Sequence, residues 1–75
     1  MPLVKRSVTL DGHRTSLTLE PEFWEVIDWI SQDQNRSMAS LISNIDKTRS
    51  PEDGLSSSVR VWILNQVLDG KNPAN

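Results

Sequence analysis

His13 is the residue whose type most readily suggests catalysis or metal binding, because an imidazole can serve as a proton acceptor or as a ligand. It is the only histidine in the 75 residues, and the chain has no cysteine. Thiolate–zinc ligation and a disulfide framework are therefore excluded. No nucleophile–base pair and no glycine-rich phosphate loop is visible in the sequence. We interpret His13 as a turn residue, and we expect no enzyme activity, no metal and no cofactor.

A second set of chemically useful residues consists of hydrogen-bonding side chains at alternate positions. Arg14, Ser16 and Thr18 offer a guanidinium and two hydroxyl groups, and they alternate with Leu17 and Leu19. A period of two is typical of a half-buried strand, so the three polar side chains should share its outer face. Such a face can recognise a ligand through hydrogen bonds, or it can be an ordinary solvated strand face.

The elements that position these residues follow from the periodicity. Residues 5–10 also alternate, and the Asp11-Gly12 dipeptide between the two runs is a strong hairpin signal. After Pro21 the apolar residues come three and four apart, which indicates helices. The sequence predicts one domain over residues 1–70 and a frayed tail over 71–75. Strands are expected at about 5–10 and 14–19, and helices at about 21–34, 37–47 and 57–68.

The third predicted helix is apolar on most of its surface. Its apolar residues are Val59, Val61, Trp62, Ile63, Leu64, Val67 and Leu68. Because an exposed helix normally keeps one polar face, we expect this helix to pack against a second chain or another partner. Trp24, Trp29 and Trp62 are interpreted as core or interface residues, which is the usual role of tryptophans at helical spacing.

Size and charge restrict the class of protein. A single core in a chain this short is marginal, so we expect oligomerisation to add to it. The net charge is −2, but residues 1–15 carry three basic residues against one acidic residue, and the remainder carries five against nine. The N-terminal element is therefore basic, and the rest of the chain is acidic. With no apolar leader and no segment of about 20 apolar residues, we expect a soluble cytoplasmic protein.

Two stretches carry a resemblance to a known family. HRTSLTLEPEFWEVI and NRSMASLISNI resemble the ribbon-helix-helix family of Arc/MetJ-type repressors, and the string KRSVTL-x-GH-x-TSL-x-LE-x-x-FW is similar to a largely uncharacterised bacterial subgroup of it. The resemblance covers about residues 5–68. It implies a mainly helical fold with a short N-terminal β-ribbon or hairpin, assembled as a ribbon-helix-helix homodimer with an extra C-terminal helix.

The resemblance also implies a function, namely sequence-specific binding of double-stranded DNA by a small bacterial transcriptional regulator. The family's outward strand residues enter the major groove, which implies base contacts from Arg14, Ser16 and Thr18. Phosphate contacts are expected from Lys5, Arg6, Arg36, Ser37, Met38 and Ala39, the last three at a helix N-terminus. The expected dimer interface comprises Leu17, Leu19, Phe23, Ile27, Leu41, Ile42, Ile45 and Trp62.

The pairing of residues 14–19 stays open at this point. The family pattern pairs this strand with its symmetry mate in a second chain, whereas Asp11-Gly12 favours pairing with residues 5–10 of the same chain. The hairpin would place on its outer face Lys5, Ser7, Thr9, Arg14, Ser16 and Thr18, and it would put Arg6 on the inner face. Both pairings together give a four-stranded sheet roughly 15 Å wide, which is too broad for a major groove of about 12 Å.

A second class of function remains alongside DNA binding. The acidic composition and a broad sheet also suit a dimeric protein-interaction module, in which the sheet or the third helix binds another protein without DNA. In either case the chain is expected to form a homodimer, with a protein partner docking on the third helix as one option.

Overall fold

The structure is a computed structural model that describes residues 2–73. A two-stranded antiparallel sheet precedes three helices in the chain. The strands are β1 (Val4–Leu10) and β2 (His13–Leu19), and the helices are α1 (Pro21–Asp33), α2 (Met38–Thr48) and α3 (Leu55–Leu68). The predicted fold class, mainly helical with a short N-terminal hairpin and an extra C-terminal helix, is confirmed.

β2 pairs with β1 of the same chain, in a register that runs from Val4 opposite Leu19 to Leu10 opposite His13. Two residues connect the strands, and both have positive φ, 52° for Asp11 and 82° for Gly12. Positive φ at both central positions defines a type I′ turn, whose twist matches that of paired strands. Asp11 and Gly12 therefore form the hairpin turn that the sequence predicted.

Local sequence explains the limits of α1. Pro21 occupies its first turn, where the missing N–H leaves no helical hydrogen bond unmade. The chain leaves the helix through Asn35, which adopts a positive φ of 53°. Asparagine tolerates this left-handed conformation better than most residues, so it suits the end of a helix.

The two remaining helices start differently. Ser37 caps α2, since its Oγ accepts a hydrogen bond of 3.0 Å from the backbone N–H of Ser40. α3 begins at Leu55 after Gly54, two residues before the start expected from the sequence. After α3, the Lys71 N–H donates a 2.9 Å hydrogen bond to the Gln66 carbonyl. Positions 74 and 75 of the expected tail lie outside the described residues.

Two helices cover the inner face of the hairpin. α2 packs on β1, with Met38 Sδ at its start 3.7 Å from Arg6 Nη1 and Lys47 Nζ near its end 3.8 Å from Asp11 Oδ1. α3 packs on β2, and its Arg60 Nε lies 2.8 Å from Oε1 of Glu20, directly after β2. The sheet therefore has one covered face and one open face.

One continuous core lies between the hairpin and the helices. Its buried residues are Val8, Leu10, Leu17, Leu19, Trp24, Ile27, Ile30, Leu41, Ile42, Ile45, Val59 and Ile63. Every element contributes at least one of them, so a single chain closes its own core around the hairpin. No helix among the described residues is long and apolar enough to cross a membrane.

Candidate nucleic-acid interface

The open face of the hairpin is a set of polar side chains in three facing pairs. The pairs are Lys5 opposite Thr18, Ser7 opposite Ser16, and Thr9 opposite Arg14. All six are exposed except Thr18, which is half-buried. We call these six residues the outer face. It bears two cations, four hydroxyl groups and no carboxylate, which suits hydrogen bonding to an anionic ligand.

The three expected base-contact residues lie together on this face. Arg14, Ser16 and Thr18 follow one another along β2 at alternate positions, as the period of two predicts. Lys5 joins them from β1. His13 is exposed at the first position of β2, beside the turn. Among residues 2–73, no group of three or more potential metal ligands comes together.

Arg6 lies on the opposite face of the hairpin, and its guanidinium already has partners. Its Nη1 and Nη2 donate to Oδ1 and Oδ2 of Asp28 on α1, at 2.9 and 3.0 Å. The guanidinium carbon also lies 4.4 Å from the ring centroid of Trp24. A bidentate carboxylate pair stacked on an indole holds the side chain against the helices. Among the expected phosphate contacts, Arg6 is therefore distinguished by having a carboxylate and an indole ring as partners.

The start of α2 is a second candidate contact surface. Within the part of the chain that the structure describes, the backbone N–H groups of Met38 and Ala39 have no acceptor, as is usual in a first helical turn. Arg36 is half-buried next to them, and its Nη2 donates a 3.2 Å hydrogen bond to Ser40 Oγ. Because Met38 also touches Arg6 of β1, this helix start lies close to the hairpin.

The residues expected at a dimer interface pack on one another within one chain. Six of them are almost fully buried, namely Leu17, Leu19, Ile27, Leu41, Ile42 and Ile45. Phe23 and Trp62 are half-buried against the same core. Their contribution to a dimer stays a prediction, and a second chain would reach most of them only by opening this core.

Two ion pairs that join different elements were not predicted from the sequence. The Arg6–Asp28 pair had one signal, a basic residue on the mainly apolar face of the hairpin near an acidic helix. The Arg60–Glu20 pair had none, because 40 residues separate its partners. The hydrogen bond from Arg60 lowers the pKa of the Glu20 carboxyl below its usual range, because it favours the charged form.

The hairpin, the Ser-capped second helix and the polar open face define a ribbon-helix-helix class of protein. A family model described as a ribbon-helix-helix domain matches residues 3–67. The chain therefore belongs to the ribbon-helix-helix family, whose members generally bind DNA as dimers and act as transcription regulators. Searches of the curated proteins and of the solved structures found no match to the chain.

Proposed function

We propose that this protein binds double-stranded DNA sequence-specifically and acts as a small transcriptional repressor in the bacterial cytoplasm. The observation that carries the proposal is the outer face, an exposed strip of hydroxyls and two cations without any carboxylate. A β-ribbon fits the major groove, and a carboxylate on its surface would be repelled by the phosphates. The family assignment supports the same function.

Each group on the surface has a role that suits its chemistry. Arg14 bonds a guanine edge with two N–H groups, while Ser16 and Thr18 donate to or accept from neighbouring base edges. Lys5 contacts a phosphate from the edge of the ribbon. Arg6 is left out of the phosphate contacts, because it is engaged with Asp28 on the inner face.

A phosphate contact at the start of α2 would complete the surface. The unpaired N–H groups of Met38 and Ala39, next to the Ser37 cap, point out of the first turn at the positive end of the helix dipole. Arg36 adds a positive charge beside them. These contacts would fix the position of the ribbon on the DNA backbone without reading sequence.

The homodimer would form on the exposed face of α3. Val61, Leu64 and Leu68 are 55, 53 and 72% exposed and lie three and four positions apart, on one side of the helix. A contiguous apolar strip of this kind is typical of an interaction surface. In this arrangement the core of each chain stays closed, and each chain presents its own outer face.

Fluorescence anisotropy with a random-sequence DNA duplex tests the proposal. Binding should weaken steeply as salt is raised, because phosphate contacts release counterions. Lys5→Ala should weaken binding to all duplexes and reduce the salt slope by about 1, whereas Lys71→Ala, which changes an exposed lysine after the end of α3, should leave both unchanged. Equal behaviour of the two variants would contradict a role of the hairpin in DNA binding.

The exposed strip on α3 also favours a second candidate, a protein-interaction module that does not bind DNA. Under this alternative the wild-type protein would show no anisotropy change with DNA even at low salt. The same titration therefore separates the two functions.

A further inference from the structure

We propose that two chains join along the free edge of β2 with both hairpins intact, so that each β1 lies outside the shared strand pair and binds DNA phosphates. The two β2 strands then form the central pair of a four-stranded sheet. Ser7 and Thr9 of β1 join Lys5 as contacts to the DNA backbone. This inference rests on the proposed function, to which it adds the surface where the two sheets meet and two phosphate-binding residues.

The free edge of β2 offers a row of unpaired backbone groups. Because Leu10 and His13 close the two-residue turn as a hydrogen-bonded pair, every second residue of β2 directs its N–H and C=O away from β1. These residues are Arg14, Ser16 and Thr18. Within the described part of the chain, no backbone hydrogen bond outside the hairpin engages them. Three donors and three acceptors are therefore available along this edge.

The two edges of the hairpin differ in how they are protected. β1 carries Lys5 on the outer face and Arg6 on the inner face. Exposed lysines and inward-pointing charges are features that keep an edge strand from pairing with another chain. Residues 15–19 of β2 include no charged residue and no proline. The edge of β2 is therefore the one suited to a further strand, and dimerisation is general in the family to which the chain belongs.

A second copy of the same edge satisfies all of these backbone groups. In an antiparallel pair of β2 strands with Ser16 opposite Ser16 of the second copy, Arg14 of each chain lies opposite Thr18 of the other. Each of the three residues then exchanges both of its hydrogen bonds. Moving the two-fold axis by one residue along the strand leaves Arg14 or Thr18 without a partner in the facing strand. The register centred on Ser16 is therefore the expected one.

The positions of the helices agree with this contact. α3 packs on β2, whereas α2 packs on β1. Joining two β2 edges therefore brings the α3 helices of the two chains, rather than the α2 helices, towards the two-fold axis. The exposed strip of α3 and the edge of β2 can thus contribute to one dimer interface.

Strand spacing places β1 over the walls of the major groove. With about 4.8 Å between neighbouring strands, each β1 lies about 7 Å from the two-fold axis. The walls of a groove about 12 Å wide lie about 6 Å from its centre. The sheet is too broad to enter, so it lies across the groove with the central pair above the base edges. Arg14, the longest outward side chain of β2, reaches furthest into the groove.

The outward side chains of β1 suit phosphate oxygens. Lys5 offers an ammonium group, and Ser7 and Thr9 offer hydroxyl donors. All three side chains are exposed, and no hydrogen bond or ion pair described for residues 2–73 engages them. Because phosphates are the same at every base pair, these contacts fix the position of the sheet without reading sequence.

Cysteine cross-linking tests the arrangement without DNA. The chain has no cysteine, so a Ser16→Cys variant carries a single thiol. In the proposed register the two Cα atoms at this position lie about 5.5 Å apart, within the range of a disulfide. Oxidation at high protein concentration should therefore give a disulfide-linked dimer. Ser7→Cys is the matched control, because Ser7 faces Ser16 across the hairpin but lies about 14 Å from its counterpart in the second chain.

DNA titration tests the role of β1. A preferred duplex is enriched from a random-sequence pool by repeated binding to the wild-type protein, and affinity is measured for it and for a scrambled duplex. Ser7→Ala and Thr9→Val should each weaken binding to both duplexes by the same factor, about threefold or more, since each chain loses a phosphate contact. Ser57→Ala, which changes an exposed serine on α3, should match the wild type.

Each other outcome has a definite meaning. A Ser16→Cys variant that stays monomeric after oxidation, or a Ser7→Cys variant that cross-links equally well, overturns the inference while DNA binding itself stands. Ser7→Ala and Thr9→Val variants that bind like the wild type, or that lose affinity only for the preferred duplex, also overturn it. If the wild-type protein binds no duplex, the proposed function fails, and the phosphate-binding role of β1 fails with it.

Discussion

Arg6 is a basic residue on the inner face of the hairpin, where Val8, Leu10, Leu17 and Leu19 are buried against the helices. Its bidentate pair with Asp28 and its contact with the Trp24 ring join β1 to α1. The two side chains of the pair are 37 and 43% exposed, so solvent screens part of their attraction. The pair thus acts mainly by holding the hairpin at a defined position on α1.

Replacing Asp28 tests this contact. We expect Asp28→Asn to lower the free energy of unfolding by about 1 kcal/mol, the upper range for a well-oriented but half-exposed pair. Urea denaturation monitored by tryptophan fluorescence measures the change. Asp33→Asn, an exposed carboxylate on the same helix, is the control. Equal stability of the two variants would show that the pair does not stabilise the fold.

The Arg60–Glu20 pair should make stability depend on pH. Because the pKa of Glu20 is lowered in the folded protein, its contribution is present above the usual glutamate pKa and is lost as the pH falls through the lowered value. We therefore expect Glu20→Gln to lower the thermal midpoint more at neutral pH than at pH about 3. Glu25→Gln, exposed on α1, should show no such difference. An equal deficit of Glu20→Gln at both pH values would contradict the assignment.

At the scale of elements, the hairpin turn determines which strand pairs with β2. Gly12 has a φ of +82°, and a Cβ at this position would meet nothing within 4 Å. Gly12→Ala should therefore be destabilising through backbone strain alone, by about 1 kcal/mol. Gly54, which has an ordinary φ of −68° and equally open surroundings, is the matched control. If Gly12→Ala has the urea midpoint of the wild type, the turn is not held in the type I′ conformation.

The sequence predicted the elements wherever local chemistry decides them. Asp11-Gly12 readily adopts the positive φ that a type I′ turn requires and thereby favours the hairpin, and Pro21 and Ser37 indicate the starts of two helices. The start of α3 was harder to predict from the sequence, because no side chain caps it and the preceding connector is uniformly polar. The Arg6–Asp28 and Arg60–Glu20 contacts depend on how helices cross the sheet, and no local pattern encodes that crossing. The outer face was predictable from alternation alone, since a strand has only two faces.

At the scale of the molecule, one chain closes its own core, and the exposed strip of α3 is the surface that we propose for a second copy. Leu64→Ser should weaken self-association in analytical ultracentrifugation, because it removes apolar area from this strip. Leu3→Ser is a matched control, since Leu3 and Leu64 are equally exposed at 53%. A wild-type protein that stays monomeric, or equal effects of the two variants, would contradict dimerisation through α3.

The most direct test of the account asks whether β1 and β2 of the same chain form the hairpin. The chain has no cysteine, so a Ser7→Cys/Ser16→Cys variant contains a single thiol pair. In a facing non-hydrogen-bonded pair the Cα atoms are about 4.5 Å apart, within the range of a disulfide. Mild oxidation of the dilute protein should therefore give an intrachain disulfide and a monomer on a non-reducing gel. Oxidation that gives only disulfide-linked dimers would show that each strand pairs with a second chain.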